Sequence, residues 1–330
     1  MRLLPLAVLL SPAFVAEAHH SAASFDQSVE VFVDGTVTEL TWANPHTYFA
    51  VEGAGPGGER VLQQVEAAPT SGLTTFGVTR ESLRVGDHVR VRANPNRRGA
   101  GYIVFGIELT KADGSVLPLH PRAARSSSVS AAATSILGTW VAQPEGFIAA
   151  TVATRGWPVT QRARETMTGD RRDLATANSE CIPAGLPGLM TLPNTITLAE
   201  QRGAITFAID WLGAQRTVHL DEQHPANLER TLLGHSTGTW EGAALLVDTV
   251  GFTAQAQGMA PAFPSSEAKH VVERFALSDD RKHLEYEATV EDPTYLTMPV
   301  TVRSRWDYRP EQAASNEPCD RAVARRYLSN

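Results

Sequence analysis

The chain has 330 residues, of which 42% are hydrophobic, and its 36 acidic and 29 basic side chains give a formal net charge of −7. A chain of this length is expected to form two domains. The acidic balance argues against nucleic acid as a partner, because the short basic pairs at residues 97–98 and 325–326 are too small to follow a phosphate backbone.

Residues 1–18 predict a secretory signal peptide. Arg2 precedes a short apolar run over residues 3–15, and Ala16 and Ala18 then occupy the small positions of a cleavage site. The run is too short to cross a bilayer, and no later window has the roughly 20 consecutive apolar residues that a transmembrane helix needs. We therefore expect a periplasmic or secreted protein that begins at His19 after cleavage and has no integral membrane segment.

Residues 19–120 are predicted to form a small OB-like β-barrel. Short alternating segments, separated by Gly and Pro, favour five strands in this range, and a β-sandwich is the alternative. The predicted strands cover residues 29–42, 47–51, 60–65, 88–93 and 102–109. A stretch of Ala, Ser, Arg and Val without hydrophobic periodicity then indicates a linker over residues 121–134.

Residues 135–330 are predicted to form a second barrel, lipocalin-like or calycin-like and antiparallel, so that the fold class is all-β. A Gly-x-Trp pattern at Gly138 to Trp140 is typical of the start of a lipocalin barrel, and short turns separate the alternating segments that follow. A helical stretch is expected over residues 158–177. The predicted strands cover residues 204–211, 215–221, 237–241, 245–252, 270–277, 283–291 and 300–308.

Cys181 and Cys319 are the two cysteines of the chain. In an oxidising compartment the simplest expectation is one disulfide between them, which would tie the C-terminal tail to the middle of the second domain. Two buried free thiols are the alternative.

Three histidines of the first domain form a candidate metal site. If the signal is cleaved after Ala18, the terminal amine and the imidazole of His19 can chelate one ion, an arrangement that suits Cu(II). His20 is adjacent, and His46 follows an Asn-Pro turn at the predicted mouth of a strand. Without the terminal amine, imidazole ligands would equally accept zinc or nickel.

Strand parity gives a second set of candidates, in the second domain. Glu273 interrupts the apolar face of the strand over residues 270–277, and Arg216 and Asp248 each share a face with apolar residues of their strands. Three charges would then point into the barrel, whereas the opposite parity of residues 215–221 would place His219 inside. Such charges form either a buried ion pair that fixes the packing or a proton-transferring cluster below an apolar ligand pocket.

His235 is a further candidate, as a general base or hydrogen-bond donor at the barrel rim. The Gly-His-Ser-Thr-Gly spacing over residues 234–238 matches a nucleophile elbow by letters alone, because no helix is expected to follow it. A serine hydrolase is therefore not expected. The sequence has no Gly-rich dinucleotide fingerprint, P-loop or Cys-x-x-Cys pair, so it indicates no organic cofactor, and copper is the one cofactor under consideration.

Two sets of short motifs are distinctive. The first set is Ala18-His19-His20-Ser21, Phe25-Asp26, Gly35-Thr36-Val37, Trp42-Ala43-Asn44-Pro45-His46 and Gly86-Asp87. The second set is Arg216-Thr217-Val218-His219-Leu220-Asp221, Gly234-His235-Ser236, Gly238-Thr239-Trp240-Glu241-Gly242 and Val247-Asp248-Thr249. The first set resembles a family of exported bacterial domains of unknown function, and the second resembles another uncharacterised exported family. That second family usually has an acidic residue where this chain has Ala243.

The predicted architecture favours capture of a small, largely apolar molecule inside the second barrel, since a barrel of about eight strands has room for one small ligand. In the stronger form of this hypothesis the barrel also converts the molecule without an organic cofactor. The candidate catalytic residues are then Glu273, His235, Arg216, His219 and Asp248. The alternative is a copper-binding or copper-dependent protein that uses His19, His20 and His46.

Overall fold

The computed structural model of the protein describes residues 24–55, 57–99, 101, 103–124, 129, 131–169, 176–177, 179–260, 263–315 and 317–325. The predicted signal peptide, with His19 and His20, lies outside the described residues. Strands dominate the described chain and close into two barrels, which confirms the all-β fold class. Within these residues we find no helix with the length and apolar character needed to cross a membrane.

The first barrel contains the strands β1 (Val31–Thr41), β2 (Thr47–Ala54), β3 (Arg60–Ala67), β4 (His88–Asn94), β5 (Val104–Lys111) and β6 (Val116–Pro118), and the helix α1 (Thr70–Thr75). β1 pairs antiparallel with β2 and β4, β2 with β3, and β4 with β5. A parallel pairing of β3 with β5 closes the ring, and β6 extends β5 outside it. This five-stranded Greek-key barrel is OB-like, as the sequence predicts.

Alternating side chains build the core of the first barrel. In β4, Val89 and Val91 are buried, whereas His88 and Arg90 are exposed. Since successive side chains of a strand point to opposite faces, one face of β4 lies in the core and the other meets solvent.

The second barrel contains the strands β7 (Gly138–Ala142), β8 (Thr195–Gln201), β9 (Ala204–Ile209), β10 (Ala214–Leu220), β11 (His235–Glu241), β12 (Ala244–Val250), β15 (His270–Leu277), β16 (His283–Glu291) and β17 (Val300–Tyr308). These nine strands form a closed ring in chain order, in which β17 pairs with β7. A separate ribbon consists of β13 (Gln255–Ala260) and β14 (Phe263–Ser265). The helices are α2 (Pro144–Ala153), α3 (Gln161–Thr168) and, near the C-terminus, α4 (Arg321–Ala324). β8, β13, β14, α2 and α4 lie outside the predicted elements, whereas α3 covers part of the helical stretch expected over residues 158–177.

The pair β10 and β11 corrects the expected antiparallel order of about eight strands. Val218 pairs with Ser236, and Leu220 with Gly238, in parallel. A closed ring of nine strands cannot alternate direction throughout, so one neighbouring pair must run the same way. Residues 221–234 therefore carry the chain back along the barrel between these two strands.

Aromatic side chains fill the middle of the second barrel. The ring centroids of Phe207 and Phe275 are 5.1 Å apart, those of Phe275 and Tyr286 are 5.1 Å apart, and those of Tyr286 and Trp306 are 5.6 Å apart. All four side chains are buried. Offset and tilted rings at such distances pack favourably and account for a continuous core.

Lys269 is buried beside this core and links it to two neighbouring segments. Its Nζ donates hydrogen bonds to the carbonyl oxygens of Leu186 (2.9 Å) and Gly258 (2.8 Å), and it lies 4.0 Å from the ring centroid of Phe252. Burial lowers the pKa of Lys269 to about 7, although nearby carboxylates act in the opposite direction. The two carbonyls and the aromatic ring supply the polar partners that a buried amine requires.

The C-terminal tail joins the two barrels. A disulfide links Cys181 to Cys319, as predicted, and Cys319 forms a β-bridge with Asn44 of the first barrel. The Asn44 side chain donates a hydrogen bond of 2.8 Å to the carbonyl of Glu317. Ser315 in turn donates a hydrogen bond of 2.9 Å to Asp210 of the second barrel. The tail therefore contacts both barrels at once.

Replacing both cysteines, Cys181→Ser with Cys319→Ser, is expected to lower the free energy of unfolding. The bond joins residues 138 positions apart, and the chain-entropy model gives a stabilisation of about 5 kcal/mol for such a loop. Urea unfolding of the oxidised protein and of the double variant measures the difference. Reductant should shift the midpoint of the unchanged protein but not that of the variant, and equal midpoints without reductant would contradict a stabilising bond.

Candidate functional site

A buried network lies inside the second barrel and takes one side chain from each of five neighbouring strands. Its members are Arg216 (β10), Ser236 (β11), Thr249 (β12), Glu273 (β15) and Tyr286 (β16). Arg216 Nη1 donates to Glu273 Oε1 at 3.0 Å, and Nη2 donates to Oε2 of the same carboxylate. Arg216 also donates to Ser236 Oγ (3.0 Å) and Thr249 Oγ1 (2.8 Å), while the Tyr286 hydroxyl donates to Glu273 Oε1 at 2.9 Å.

The charged groups of the buried network are hydrogen-bonded to other members of the network. Arg216 and Glu273 are only 3% and 1% exposed, and both carboxylate oxygens accept hydrogen bonds from the guanidinium. Burial, together with the neighbouring carboxylate, raises the pKa of Tyr286 well above its usual value, so its hydroxyl keeps its proton. A bidentate pair with this degree of burial is stable only when its remaining donors and acceptors are also bonded. The geometry therefore gives these residues a role in holding the strands together.

Strand parity predicts the burial of Arg216 and Glu273, but it is wrong for Asp248. On β12 the residues that face the core are Leu245, Val247 and Thr249. Asp248 points outward with a side chain that is 42% exposed. β12 carries apolar residues on both faces, so alternation alone does not distinguish its inner from its outer side. His219 also faces outward, on the opposite side of β10 from Arg216.

Asp248 lies instead in a cluster of histidines on the outer face of the barrel. His224 Nε2 is 2.8 Å from Asp248 Oδ1, and His270 Nε2 is 2.7 Å from Asp248 Oδ2. His224 Nδ1 is 2.9 Å from Nδ1 of His235. The ring of His219 stacks on that of His235, with centroids 5.0 Å apart and planes inclined by 7°. We refer to His235, His224 and Asp248 as the histidine relay.

Two neighbouring strands and one crossing segment carry the histidine relay, and a third strand carries the adjacent His270. His235 begins β11, Asp248 lies on β12 opposite Thr237, and His270 begins β15. His224 belongs to residues 221–234, which cross the outer face because β10 and β11 are parallel. The relay therefore depends on the one connection that departs from an antiparallel barrel.

The carboxylate of Asp248 determines where the ring protons lie. Burial opposes its ionisation, but hydrogen bonds from His270 and His224 outweigh that effect and lower the pKa of Asp248. An ionised carboxylate only accepts hydrogen bonds, so His224 carries its proton on Nε2. If His224 is neutral, its Nδ1 accepts, and His235 must donate from its own Nδ1. The Nε2 atom of His235 then presents a lone pair.

His235 is suited to accept a proton through that lone pair. Burial, followed by the neighbouring rings of His219 and His224, lowers the pKa of His235 below its usual value of 6.5. The ring is therefore neutral at physiological pH. Within the described part of the chain no hydrogen bond engages its Nε2 atom, which is the requirement for a base that must contact a substrate.

His46 of the first barrel has a distinct environment. Its Nδ1 lies 3.2 Å from Oε1 of the buried Glu66 and 3.3 Å from the carbonyl oxygen of Ala67. Both neighbours are acceptors, so the proton of a neutral His46 belongs on Nδ1 and its Nε2 is left with a lone pair. Among the described residues, no three His, Cys, Asp or Glu side chains are grouped as metal ligands.

Sequence reasoning missed His224 and His270. His224 lies between predicted strands, where no alternation indicates the direction of a side chain. The alternation of β15 does place His270 on the polar face, opposite Glu273. The signal for the cluster is the set of polar residues on the outer faces of four adjacent strands, namely His219, His235, Asp248 and His270, but using this signal requires knowing which strands pair.

Two cavities lie apart from both clusters. One of about 390 Å³ is lined by Trp240, Leu277 and Arg281, among others, near the turn between β11 and β12. The other, of about 180 Å³, lies beside α2 and is lined by Trp157 and Met259, among others. Neither is lined by a residue of the buried network or of the histidine relay.

Comparison with known proteins adds a family but no activity. Residues 7–103 are similar to a family of unknown function, DUF6152. The matched segment reaches from the predicted signal peptide into the first barrel, and the second barrel lies outside it. No curated protein matches the chain. The match agrees with the resemblance of the first domain to an uncharacterised family.

The buried network predicts a large loss of stability for Glu273→Gln. The amide keeps the shape of the side chain but leaves the guanidinium of Arg216 without a counter-charge, which costs about 3–5 kcal/mol. Glu285→Gln, on the exposed side of β16, is the matched control, and it should change the free energy of unfolding by less than about 0.5 kcal/mol. Urea unfolding measures both variants. Equal midpoints would mean that Glu273 does not neutralise Arg216.

Proposed function

We propose that the second barrel is an acid–base catalyst that takes a proton from a small molecule bound at its outer face. The observation that carries the proposal is the chain of contacts from Asp248 through His224 to His235, with 2.8 Å and 2.9 Å between the bonded atoms. A carboxylate that fixes one imidazole, which in turn fixes a second, is an arrangement typical of a positioned base.

The proposed reaction begins with an O–H group, from water or from a substrate hydroxyl, at Nε2 of His235. As the oxygen attacks an electrophilic carbon, its proton moves to Nε2 of His235. The Nδ1 proton of His235 can then shift to Nδ1 of His224, where the positive charge lies beside the carboxylate of Asp248. When the bond between the carbon and its leaving group breaks, the shared proton moves back to Nδ1 of His235 and the leaving group takes the proton from Nε2, which restores the neutral relay.

Two neighbours support this role. The ring of His219 covers one face of His235 and so restricts its rotation. His270 donates to the second oxygen of Asp248 and keeps the carboxylate ionised, so that the proton stops at His224. Of the candidates from sequence, His235, His219 and Asp248 thus belong to the proposed site, whereas Arg216 and Glu273 support it from the inner face of the same strands.

We also propose that the protein is exported to the periplasm or beyond the cell. The signal-like residues 1–18 and the disulfide between Cys181 and Cys319 support this proposal, because disulfides persist mainly in oxidising compartments.

Capture of a small apolar molecule inside the second barrel stays a prediction. The tightly packed aromatic core favours the outer face over the interior as the place of any chemistry.

Copper binding by the first domain is the second candidate function. The observation that favours it is the environment of His46 Nδ1, which hydrogen-bonds the Ala67 carbonyl and lies 3.2 Å from the buried Glu66 carboxylate, because acceptors around Nδ1 leave Nε2 ready to bind a metal ion. His19 and His20 would supply the terminal amine and further imidazoles, although they lie outside the described residues.

For the histidine relay, His235→Gln is expected to lower the rate of hydrolysis of an activated ester such as 4-nitrophenyl acetate by about 100-fold, since a positioned base contributes at least this much. Asp248→Asn should also lower the rate, because an amide does not fix the tautomer of His224. The control is His283→Gln, since His283 forms a separate pair with Asp307 at 2.9 Å.

The pH profile provides a second readout of the same proposal. Only neutral His235 acts as a base, so the rate should be constant above pH 7 and fall as the pH drops through a pKa below 6.5. Esterase kinetics between pH 4.5 and pH 8.5 measure this profile. If His235→Gln hydrolyses the ester as fast as His283→Gln does, the proposed function is wrong.

For the copper candidate, the processed protein is expected to bind one Cu(II) ion per chain, and Glu66→Gln should weaken binding by about 10-fold, as loss of a partner to a ligating histidine does. His88→Gln, exposed on β4, is the control and should leave the affinity unchanged. N-terminal sequencing and calorimetric titration with Cu(II) test both parts. A mature chain that begins elsewhere than His19, or equal affinities for the two variants, would exclude this site.

A further inference from the structure

The segment that carries His224 is held at its two ends. At its start, the backbone N–H of Asp221 donates to the carbonyl of Gly238 at 2.9 Å. At its end, the guanidinium of Arg230 donates to the carbonyl oxygens of Phe252 (3.2 Å) and Glu267 (2.8 Å). Residues 222–227 between these points are exposed, apart from His224. In the described structure, the hydrogen bonds that hold this stretch to the barrel are those of His224.

The hydrogen bond between His224 and His235 requires that one of the two Nδ1 atoms carries a proton and the other does not. Two Nδ1 atoms that lie 2.9 Å apart share one proton between them. Neutral rings meet this condition, and so does a pair that has gained one proton, since Nε2 of His235 accepts it without changing the shared bond. A second added proton places N–H groups on both sides of the contact. The hydrogen bond is then lost, and two cationic rings face each other.

The surrounding charges do not compensate for two cations. The titratable groups that face this contact are His219 on β10, Glu222 in the crossing segment, His235 on β11, Asp248 on β12 and His270 on β15. Asp248 is already shared between His224 and His270. Glu222 is 60% exposed and lies 3.9 Å from His219, so solvent screens its charge. Acid conditions therefore leave the cluster with more positive than negative charge.

We propose that the contact of His224 with His235 is an acid-operated latch, and that residues 222–227 leave the outer face of the barrel when both rings become protonated. The biological use of the latch rests on the proposed function, because opening separates His224 from Asp248 and dismantles the histidine relay. The opening itself rests on the geometry of the contact. Because the first proton preserves the shared bond, the relay loses its base before the segment opens.

The test follows the mobility of the segment directly. Asn227→Cys provides a single labelling site in the crossing segment, since Cys181 and Cys319 are bonded to each other. A nitroxide label at this position is recorded by electron paramagnetic resonance between pH 8 and pH 4.5. We expect a restricted spectrum at pH 8 and a mobile spectrum at low pH, with a reversible transition below pH 6.5, the usual pKa of histidine. A restricted spectrum throughout this range would overturn the latch.

Variants distinguish the latch from a general effect of acid. With the label in place, the segment of His224→Gln should be mobile at pH 8. The amide of glutamine does not hold a donor and an acceptor at the positions of Nε2 and Nδ1, so the bonds to Asp248 and His235 are not both kept. His235→Gln removes the second titrating ring, so the transition should be lost. His283→Gln is the control, since it removes a titrating histidine that pairs with Asp307 away from the contact, and it should keep the transition. A transition that persists unchanged in His235→Gln would contradict the proposal.

The latch and the proposed catalysis can fail separately. If the labelled protein with both histidines shows the mobility transition, while His235→Gln still hydrolyses the ester at the full rate, the latch is retained and the catalytic role is excluded. If the segment of the labelled protein with both histidines stays immobile at low pH, while His235→Gln loses ester hydrolysis, the catalytic role is retained and the latch is excluded. Circular dichroism at pH 4.5 serves as a check on each labelled protein, because a loss of β-structure on acidification would mean that the whole barrel opens and would also overturn the latch.

Discussion

The buried pair of Arg216 and Glu273 fixes the arrangement of the second barrel on both of its faces. With Ser236, Thr249 and Tyr286 it joins one residue from each of five neighbouring strands. Since side chains alternate between faces, fixing which residues point inward also fixes which point outward. A slip of one residue in β10 or β15 would turn Arg216 or Glu273 outward and a histidine inward.

The outer histidine relay follows from that inner register. Ser236 pairs with Thr249 inside the barrel, so its neighbour His235 and the neighbour of Thr249, Asp248, lie outside. Glu273 inside likewise leaves His270 on the outer face, three residues earlier on β15. The ion pair therefore contributes to the proposed chemistry without touching a substrate, because it holds the strands that present the imidazoles and the carboxylate.

The fold was predictable from sequence to the extent that it depends on local patterns. Five strands of the first barrel and seven of the second follow alternating hydrophobicity, and the burial of Arg216 and Glu273 follows from the apolar residues beside them. Asp248 was placed on the wrong face because β12 is apolar on both sides. The parallel pairing of β10 with β11, and with it the position of His224, depends on contacts between distant segments that no local period encodes.

The C-terminal tail is bonded to both barrels. The bridge between Asn44 and Cys319 connects the first barrel to a segment that the disulfide anchors at Cys181. Ser315, a few residues earlier, bonds to Asp210 on the second barrel. The family match ends at residue 103, so it bears on the first barrel alone.

The ring tautomers of the histidine relay are the most direct measure of this account. The carboxylate of Asp248 requires a proton on Nε2 of His224, and the contact at 2.9 Å then requires a proton on Nδ1 of His235. Nitrogen-15 chemical shifts of the imidazoles at pH 8, assigned with His224→Gln and His235→Gln, report both positions. We expect the Nε2–H tautomer for His224 and the Nδ1–H tautomer for His235. An Nε2–H tautomer at His235 would contradict the proposed base, because the lone pair of that ring would then lie on Nδ1, which faces His224 and not a substrate.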